Sequence, residues 1–267
     1  MVTIFHSIVL GAIQGISEFL PISSSGHLIL IPYLLHWPDY GIGFDVALHL
    51  GTAFAIVIFF WRDWIKIFRN AFGKKTDEEF PANFLWQIAV ATIPAAILGI
   101  ILDKATEKYF HTDMVLIAAN LIIFGIILWL ADVYFGTKQN PKKISYKQSI
   151  WVGFAQSIAL IPGVSRSGIT ITASRALGLE KREAARFSFL LATPTIVGAF
   201  LYKLKDIAAH DINFAFLLGI IFSLIFGLIS IKYLLKYLER GNFAIFTWYR
   251  ILFGILILIV YFSRLGK

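Results

Sequence analysis

Cysteine is absent from the 267-residue chain, and charged residues make up only 15% of it. Without cysteine there is no disulfide framework, no thiolate metal site and no thiol nucleophile. Soluble domains usually contain about a quarter charged residues, whereas 58% of this chain is hydrophobic and its mean hydropathy is +0.76. The composition therefore predicts an integral membrane protein.

A polar linker long enough to separate two cores is also lacking, so we predict a single domain over residues 1–267. The amino-terminal residues include no basic group and the apolar run soon reaches Glu18, so we expect no cleaved signal peptide. The net charge of +8 lies mainly in short segments between apolar runs. Membrane lipids are the expected partners of these basic residues, and nucleic acid is not.

Six apolar segments are long enough to cross a bilayer as helices. They are Phe44–Trp61, Phe84–Leu102, Met114–Phe135, Phe187–Tyr202, Ile212–Ile231 and Phe243–Phe262. Two further apolar regions, residues 2–35 and 147–178, are each interrupted by proline, glycine and serine. Because proline ends helices, we predict an all-α polytopic membrane protein with six transmembrane helices and two re-entrant helical hairpins.

The two interrupted regions resemble each other at a separation of 142 residues. Six residues of the first region align with six of the second: Gly11, Gln14, Ser23, Ser25, Gly26 and Ile29 with Gly153, Gln156, Ser165, Ser167, Gly168 and Ile171. Each half of the chain, approximately residues 1–135 and 147–267, then holds one hairpin and three spans. Since three is odd, the halves form an inverted-topology repeat whose hairpins enter from opposite faces and meet near the membrane midplane.

The distribution of basic residues predicts the orientation of the chain. One face would hold 14 of the 24 Lys and Arg residues, and the segments of the other face would hold six. The segments of the first face are 62–82, 136–148, 178–182 and 232–242. The strongest single indication is the group Lys138, Lys142, Lys143 and Lys147, which has no acidic residue among its members. Positively charged loops stay in the cytoplasm, so we expect both termini and the entrance of the first hairpin on the outside.

The first hairpin combines a carboxylate, hydroxyls and an imidazole within about two helical turns. Gln14 and Glu18 are four residues apart and share a helix face. A proline then ends that helix, and Ser23 or Ser24 can cap the next one, whose first backbone amides form an anion site. A serine hydroxyl, the imidazole of His27 and the Glu18 carboxylate suit nucleophilic attack with base assistance.

The second hairpin also has a helix stop followed by hydroxyls, but it adds a guanidinium at Arg166. The planar fork of arginine suits bidentate phosphate binding. If the hairpins meet, Arg166 faces Ser24, Glu18 and His27, and the result is a site for phosphoryl transfer. A structural alternative stays open, in which Glu18 is only the buried ion-pair partner of Arg166.

The chain resembles the bacterial undecaprenyl-diphosphatase family, also called undecaprenyl pyrophosphate phosphatases or bacitracin-resistance proteins. The matching motifs are Gln14-x-x-x-Glu18, the stretch Phe19–His27 and the stretch Pro162–Thr170, and the resemblance covers essentially the whole chain. It implies hydrolysis of the C55 isoprenoid diphosphate to its monophosphate on the outer face of the bacterial cytoplasmic membrane. That reaction recycles the lipid carrier of peptidoglycan synthesis and removes the target of bacitracin.

The resemblance also implies roles for individual residues. The residues with implied catalytic roles are Glu18, Ser24, His27 and Arg166. The residues implied to contact the diphosphate are Gln14, Ser23, Ser25, Gly26, Ser165, Ser167, Gly168 and Thr170. Whether Ser24, His27 or water attacks phosphorus is left open. The family pattern admits Glu or Gln at the first motif position, and with Gln14 only one carboxylate remains, so a divalent cation such as Mg²⁺ or Ca²⁺ is an optional cofactor without assigned ligands.

A transporter or flippase for an anionic polyprenyl lipid is the alternative function, because inverted repeats and broken helices are typical of transporters. The nucleophile–base–carboxylate grouping favours an enzyme, since transport does not need it. A lipid kinase is not supported, because the chain lacks a Gly-x-x-x-x-Gly-Lys motif. We interpret His49 and Asp45 as structural or interfacial, expect Arg250 to extend to the cytoplasmic surface, and leave a homo-oligomer open.

Overall fold

A computed structural model describes residues 2–73, 80–105, 113–135, 144–207 and 212–265. Within these ranges the regular elements are eleven α-helices and one 3-10 turn, Leu204–Asp206, with no strand. The α-helices are α1 Ile4–Phe19, α2 Ser24–Leu35, α3 Ile42–Phe59, α4 Trp61–Phe72, α5 Phe84–Ala105, α6 Met114–Phe135, α7 Tyr146–Ile158, α8 Arg166–Ala176, α9 Lys181–Lys203, α10 Phe214–Tyr237 and α11 Ala244–Leu265. The all-α prediction is confirmed.

Six of the described helices, α3, α5, α6, α9, α10 and α11, are long and apolar enough to cross a membrane. They coincide with the six predicted spans, and helix α6 has the predicted bounds, Met114–Phe135. Apart from its ends, an α-helix satisfies nearly all its backbone groups internally, which is what the hydrocarbon layer requires. The protein is therefore a multi-pass membrane protein.

The two interrupted regions form the helix pairs α1–α2 and α7–α8. Helix α1 ends at Phe19 and α2 begins at Ser24, so the break falls around Pro21 as predicted. The second break separates Ile158 from Arg166. All four helices are shorter than the spanning helices, and the re-entrant path of each pair through the membrane stays a prediction.

Helix α4 corrects the sequence analysis, which treated residues 62–82 as a loop. Its apolar residues Trp61, Trp64, Ile65 and Phe68 recur at helical spacing between charged residues. Asn70 is buried on the other side and its amide donates to the carbonyl of Phe80 at 2.6 Å. Such an amphipathic helix is typical of the membrane surface. The rest of that basic segment at 74–79, and Lys138, Lys142 and Lys143, lie outside the described residues.

The first helix of each interrupted pair packs against a spanning helix of the other half, α1 along α10 and α7 along α5. The equivalent residues Gly11 and Gly153 lie at these crossings. A Cβ added to Gly11 would lie 2.5 Å from the carbonyl oxygen of Gly219, and one added to Gly153 would lie 2.5 Å from that of Ala91. Glycine is needed here because the backbones touch. The packing of each helix pair against the other half of the chain is compatible with two repeats in one domain. The single domain and the inverted orientation both stay predictions.

Candidate active site

The two helix breaks have the same backbone turn. Ser23 and Ser165 both have a φ of 75°, in the left-handed region that serine seldom adopts. Each serine hydroxyl accepts a hydrogen bond from a glycine amide three residues on, Gly26 at 3.3 Å and Gly168 at 3.1 Å. Ser23 therefore caps α2, one of the two caps considered from the sequence, and Ser165 caps α8 in the same way.

The guanidinium of Arg250, on helix α11, joins both breaks. It is fully buried. It donates to the carbonyl of Pro21 at 3.2 Å, to Gly163 at 2.9 Å and to Val164 at 3.0 Å, and it also reaches two carbonyls of α6 at 2.9 and 3.2 Å. The expected extension of Arg250 to the cytoplasmic surface is wrong. Carbonyls at a helix break need donors, and this arginine satisfies them in the interior.

The carboxylate of Glu18 is the centre of the site. Arg166 Nη2 donates to Oε1 at 2.7 Å, while Ser24 Oγ donates to Oε2 at 2.7 Å and Gln14 Nε2 donates to Oε2 at 3.0 Å. Only 6% of the Glu18 side chain is exposed. A buried charge is tolerable when it is paired and hydrogen-bonded in this way. The contact between Glu18 and Arg166 joins the two breaks across 148 residues of sequence.

A cavity of about 280 Å³ opens onto this carboxylate. Its polar lining consists of Glu18, Ser24, Ser25, His49, Ser165, Arg166, Thr195 and Lys203. Its apolar lining consists of Val46, Ala159, Ile196, Ala199 and Phe200. Five of the candidate residues therefore line one cavity: Glu18, Ser24, Ser25, Ser165 and Arg166. The apolar wall of the cavity comes from α3, α9 and the second break.

Three other candidate residues hold the backbone. Ser167 Oγ donates to the carbonyl of Leu20 at 3.1 Å, which ties the second break to the first. Thr170 Oγ1 donates to the carbonyl of Arg166 at 2.8 Å. The hydroxyl of Ser23 is occupied as the cap of α2. These side chains are buried and do not line the cavity, and their contacts with a substrate stay predictions.

His27 lies apart from the Glu18 carboxylate, with both ring nitrogens occupied. Its Nδ1 is 2.7 Å from the carbonyl oxygen of Ser23, and its Nε2 is 2.7 Å from the hydroxyl of Tyr249. The ring stacks on Phe253 with centroids 4.7 Å apart. Its side chain is 3% exposed and does not line the cavity. The predicted acid–base role of His27 stays untested, and the geometry gives it a share in holding the first break.

Among the described residues, His49 is the one histidine in the cavity lining, where a structural or interfacial residue was expected. Its Nδ1 donates to the carbonyl of Asp45 at 2.7 Å, and its Nε2 lies 3.7 Å from Oε2 of Glu18. The available signal was an ionisable side chain inside an apolar span, which is itself a reason to expect function.

The residues around Glu18 fit a divalent cation poorly. In the part of the chain that the structure describes, Glu18 is the one carboxylate in the cavity lining, and its two oxygens accept hydrogen bonds from Arg166, Ser24 and Gln14. Among the described residues there is no group of three His, Asp or Glu side chains placed to hold a metal. Mg²⁺ and Ca²⁺ take several oxygen ligands, which this donor set lacks, so we derive no step through a metal.

These features define the class: a multi-pass membrane protein that encloses a charged site between two capped helix breaks. The chain belongs to the family of the bacitracin resistance protein BacA, whose sequence model matches residues 7–256. It is 48% identical to an undecaprenyl-diphosphatase of Pelotomaculum thermopropionicum, over 98% of both chains. It is 45% identical to an undecaprenyl-diphosphatase of Moorella thermoacetica, over 98% of this chain and 99% of the relative. The family resemblance seen in the motifs is thereby confirmed.

Proposed function

We propose that this protein hydrolyses undecaprenyl diphosphate to undecaprenyl phosphate and inorganic phosphate. The observation that carries the proposal is the hydrogen bond of 2.7 Å from Ser24 Oγ to Glu18 Oε2, with Arg166 on the other carboxylate oxygen at 2.7 Å. A hydroxyl, a base and a fixed positive charge in one cavity are what phosphoryl transfer needs. The names of the relatives supply the substrate.

In the first step Ser24 Oγ attacks the terminal phosphorus and Glu18 takes the hydroxyl proton. The new bond joins Oγ to phosphorus, and the bond from phosphorus to the bridging oxygen breaks. Its electron pair stays on the bridging oxygen, so the lipid leaves as undecaprenyl phosphate. The guanidinium of Arg166 faces the cavity and stabilises the negative charge on the oxygens of the transferred phosphoryl group.

In the second step water hydrolyses the phosphoserine. Glu18 first gives its proton to the departing lipid phosphate and then accepts one from the attacking water. The bond from phosphorus to Ser24 Oγ breaks, the oxygen recovers a proton from Glu18, and inorganic phosphate leaves. Direct attack of water on the diphosphate, with Glu18 as base, is the competing route, and it forms no phosphoserine.

The lining of the cavity supports a lipid substrate. Charged groups at Glu18 and Arg166 share it with Val46, Ile196 and Phe200. A diphosphate attached to a hydrocarbon chain needs both kinds of surface, because its charged head and apolar tail cannot exchange places without a large desolvation cost. This amphipathic wall favours a prenyl diphosphate over a water-soluble phosphate ester.

The proposed setting is the outer face of the bacterial cytoplasmic membrane, with both termini outside. The excess of Lys and Arg in the segments of the opposite face supports it. Hydrolysis there recycles the lipid carrier of peptidoglycan synthesis and removes the diphosphate that bacitracin binds. Expression of the protein in a bacitracin-sensitive bacterium is expected to raise the inhibitory concentration of bacitracin.

The testing experiment measures phosphate release from C55 diphosphate by purified protein in detergent, for wild type, Ser24→Ala and Arg166→Ala. Each variant is expected to lose roughly a thousandfold or more in kcat/KM. Ser24→Ala is expected to retain its melting temperature, whereas Arg166→Ala leaves the buried Glu18 carboxylate unpaired and is expected to lower it. Acid quenching with radiolabelled substrate is expected to trap phosphate on wild type and none on Ser24→Ala. A parallel series with chelator and added Mg²⁺ or Ca²⁺ tests the optional cation.

Wild-type protein that is folded but releases no phosphate would overturn the proposal. The flippase alternative then gains support if lipid transport in vesicles depends on Arg166 and tolerates Ser24→Ala. Phosphate release without a trapped intermediate, at a rate that survives Ser24→Ala, would favour direct attack by water and leave Glu18 as the base.

A further inference from the structure

We propose that His49 is a further substrate-binding residue, whose Nε2 donates a hydrogen bond to the terminal phosphate on the side of Glu18 away from Arg166. The inference rests on the proposed function, because it concerns the same cavity. It adds a residue from helix α3, which belongs to neither helix break and to neither of the recognised motifs.

The first support is the way the imidazole is anchored. Nδ1 donates to the carbonyl of Asp45, one turn earlier in α3, at 2.7 Å. A histidine whose Nδ1 is fixed by a backbone carbonyl has a set orientation and presents Nε2 for other use. The side chain is 34% exposed and lines the cavity, so Nε2 is accessible to a ligand there.

The second support is the contact that Nε2 lacks. Its nearest ionic partner among the described residues is Oε2 of Glu18 at 3.7 Å, which is beyond hydrogen-bond distance. That oxygen already accepts from Ser24 and Gln14. His27 differs, because both of its nitrogens are within 2.7 Å of a protein oxygen. Of these two histidines, His49 has a ring nitrogen available for substrate.

The third support is the charge in the cavity. Arg166 and Glu18 neutralise each other at 2.7 Å, so an entering diphosphate brings negative charge beside a pair whose net charge is zero. A phosphate next to a carboxylate needs hydrogen-bond donors besides Arg166, and the cavity lining includes the imidazole of His49 and the ammonium group of Lys203. Arg166 contacts Oε1 and His49 approaches Oε2. Both side chains line the cavity onto which the carboxylate opens, so a phosphate bound there would lie within reach of both.

The experiment compares wild type with His49→Ala, His49→Phe and His49→Gln in the full chain in detergent. His49→Phe keeps the ring volume without a donor, and His49→Gln keeps an N–H donor at similar reach without the ring. Loss of a hydrogen bond to a charged phosphate is expected to raise KM for C55 diphosphate about tenfold to a hundredfold in the Ala and Phe variants, with a smaller change in kcat. The Gln variant is expected to stay within about fivefold of wild type. His36→Asn, at an exposed left-handed position, is the matched histidine control and is expected to match wild type.

A second measurement does not depend on catalysis. Binding of inorganic pyrophosphate is measured by the rise in melting temperature that it causes. The Ala and Phe variants are expected to need about tenfold more pyrophosphate for the same rise. Unchanged KM and pyrophosphate binding in both variants would overturn the inference, as would a loss in kcat alone. If wild type binds pyrophosphate through His49 but releases no phosphate, the proposed function fails and the binding role stands.

Discussion

At the residue scale, His27 lies within the recognised motif although its surroundings suit support better than proton transfer. Its ring is buried between the Ser23 carbonyl, the Tyr249 hydroxyl and the face of Phe253. Because the Ser23 carbonyl belongs to the left-handed cap of α2, the imidazole holds the turn that presents Ser24. This view separates the motif into residues that would touch phosphate and residues that keep the turn in shape.

Tyr249→Phe tests that view, because it removes the partner of His27 Nε2 without changing the ring. We expect a loss of about 1–3 kcal/mol in stability from the unsatisfied buried nitrogen and a fall in kcat/KM of less than tenfold. Thermal unfolding in detergent and phosphate release measure the two effects. Tyr261→Phe, on the same helix, is the control. A hundredfold loss of kcat in Tyr249→Phe would instead favour proton transfer through His27.

At the element scale, the two breaks depend on a side chain from a third element. Arg250 on α11 donates to carbonyls of both breaks and of α6. We expect Arg250→Met to leave these buried carbonyls without donors and to destabilise the protein by about 3 kcal/mol or more. Activity is expected to fall together with the melting temperature. Arg182→Met, which removes a half-exposed guanidinium 3.9 Å from Glu239, is the control and is expected to change stability by less than about 1 kcal/mol. An Arg250→Met protein as stable as wild type would contradict this assignment.

The contact of α1 with α10 gives a second prediction at the element scale. A side chain at Gly11 would collide with the backbone of Gly219, and backbone cannot give way as a side chain can. Gly11→Leu is expected to separate the helices and abolish activity, with a lower melting temperature. At Gly198 on α9 an added Cβ meets nothing within 4 Å, so Gly198→Ala is expected to keep both properties. Full activity in Gly11→Leu would contradict the close approach.

The same elements explain how far the sequence alone could go. The six spans were predictable because each is a continuous apolar run, and the break at Pro21 because proline ends a helix locally. Helix α4 was missed because its charges hide the apolar spacing from a search for continuous hydrophobic runs. Arg250 was misjudged, and the position of His49 in the cavity was not foreseen, for another reason: the residues nearby, Gly163 and Glu18, are distant in sequence. No local pattern states which helix faces which.

At the scale of the whole molecule, the lack of native cysteine makes orientation directly measurable. Single cysteines are placed at four exposed positions: Asp39 and Asp113 for the predicted outer face, and Lys236 and Arg240 for the predicted inner face. In intact cells a membrane-impermeant maleimide is expected to label the first two, and the second two only after permeabilisation. The opposite pattern would reverse the orientation and place the cavity entrance on the wrong side for an extracytoplasmic substrate.

The separation of Glu18 from Arg166 has a consequence for biosynthesis. The ribosome delivers the carboxylate to the membrane 148 residues before the guanidinium that neutralises it. A lone carboxylate is costly in hydrocarbon. If the amino-terminal helix pair enters the membrane as predicted, we therefore expect it to be unstable there while the carboxyl-terminal half is still being translated. Insertion of the first hairpin should therefore be a late event, completed when the second half arrives, and a chain truncated before Arg166 should be a substrate for membrane proteases.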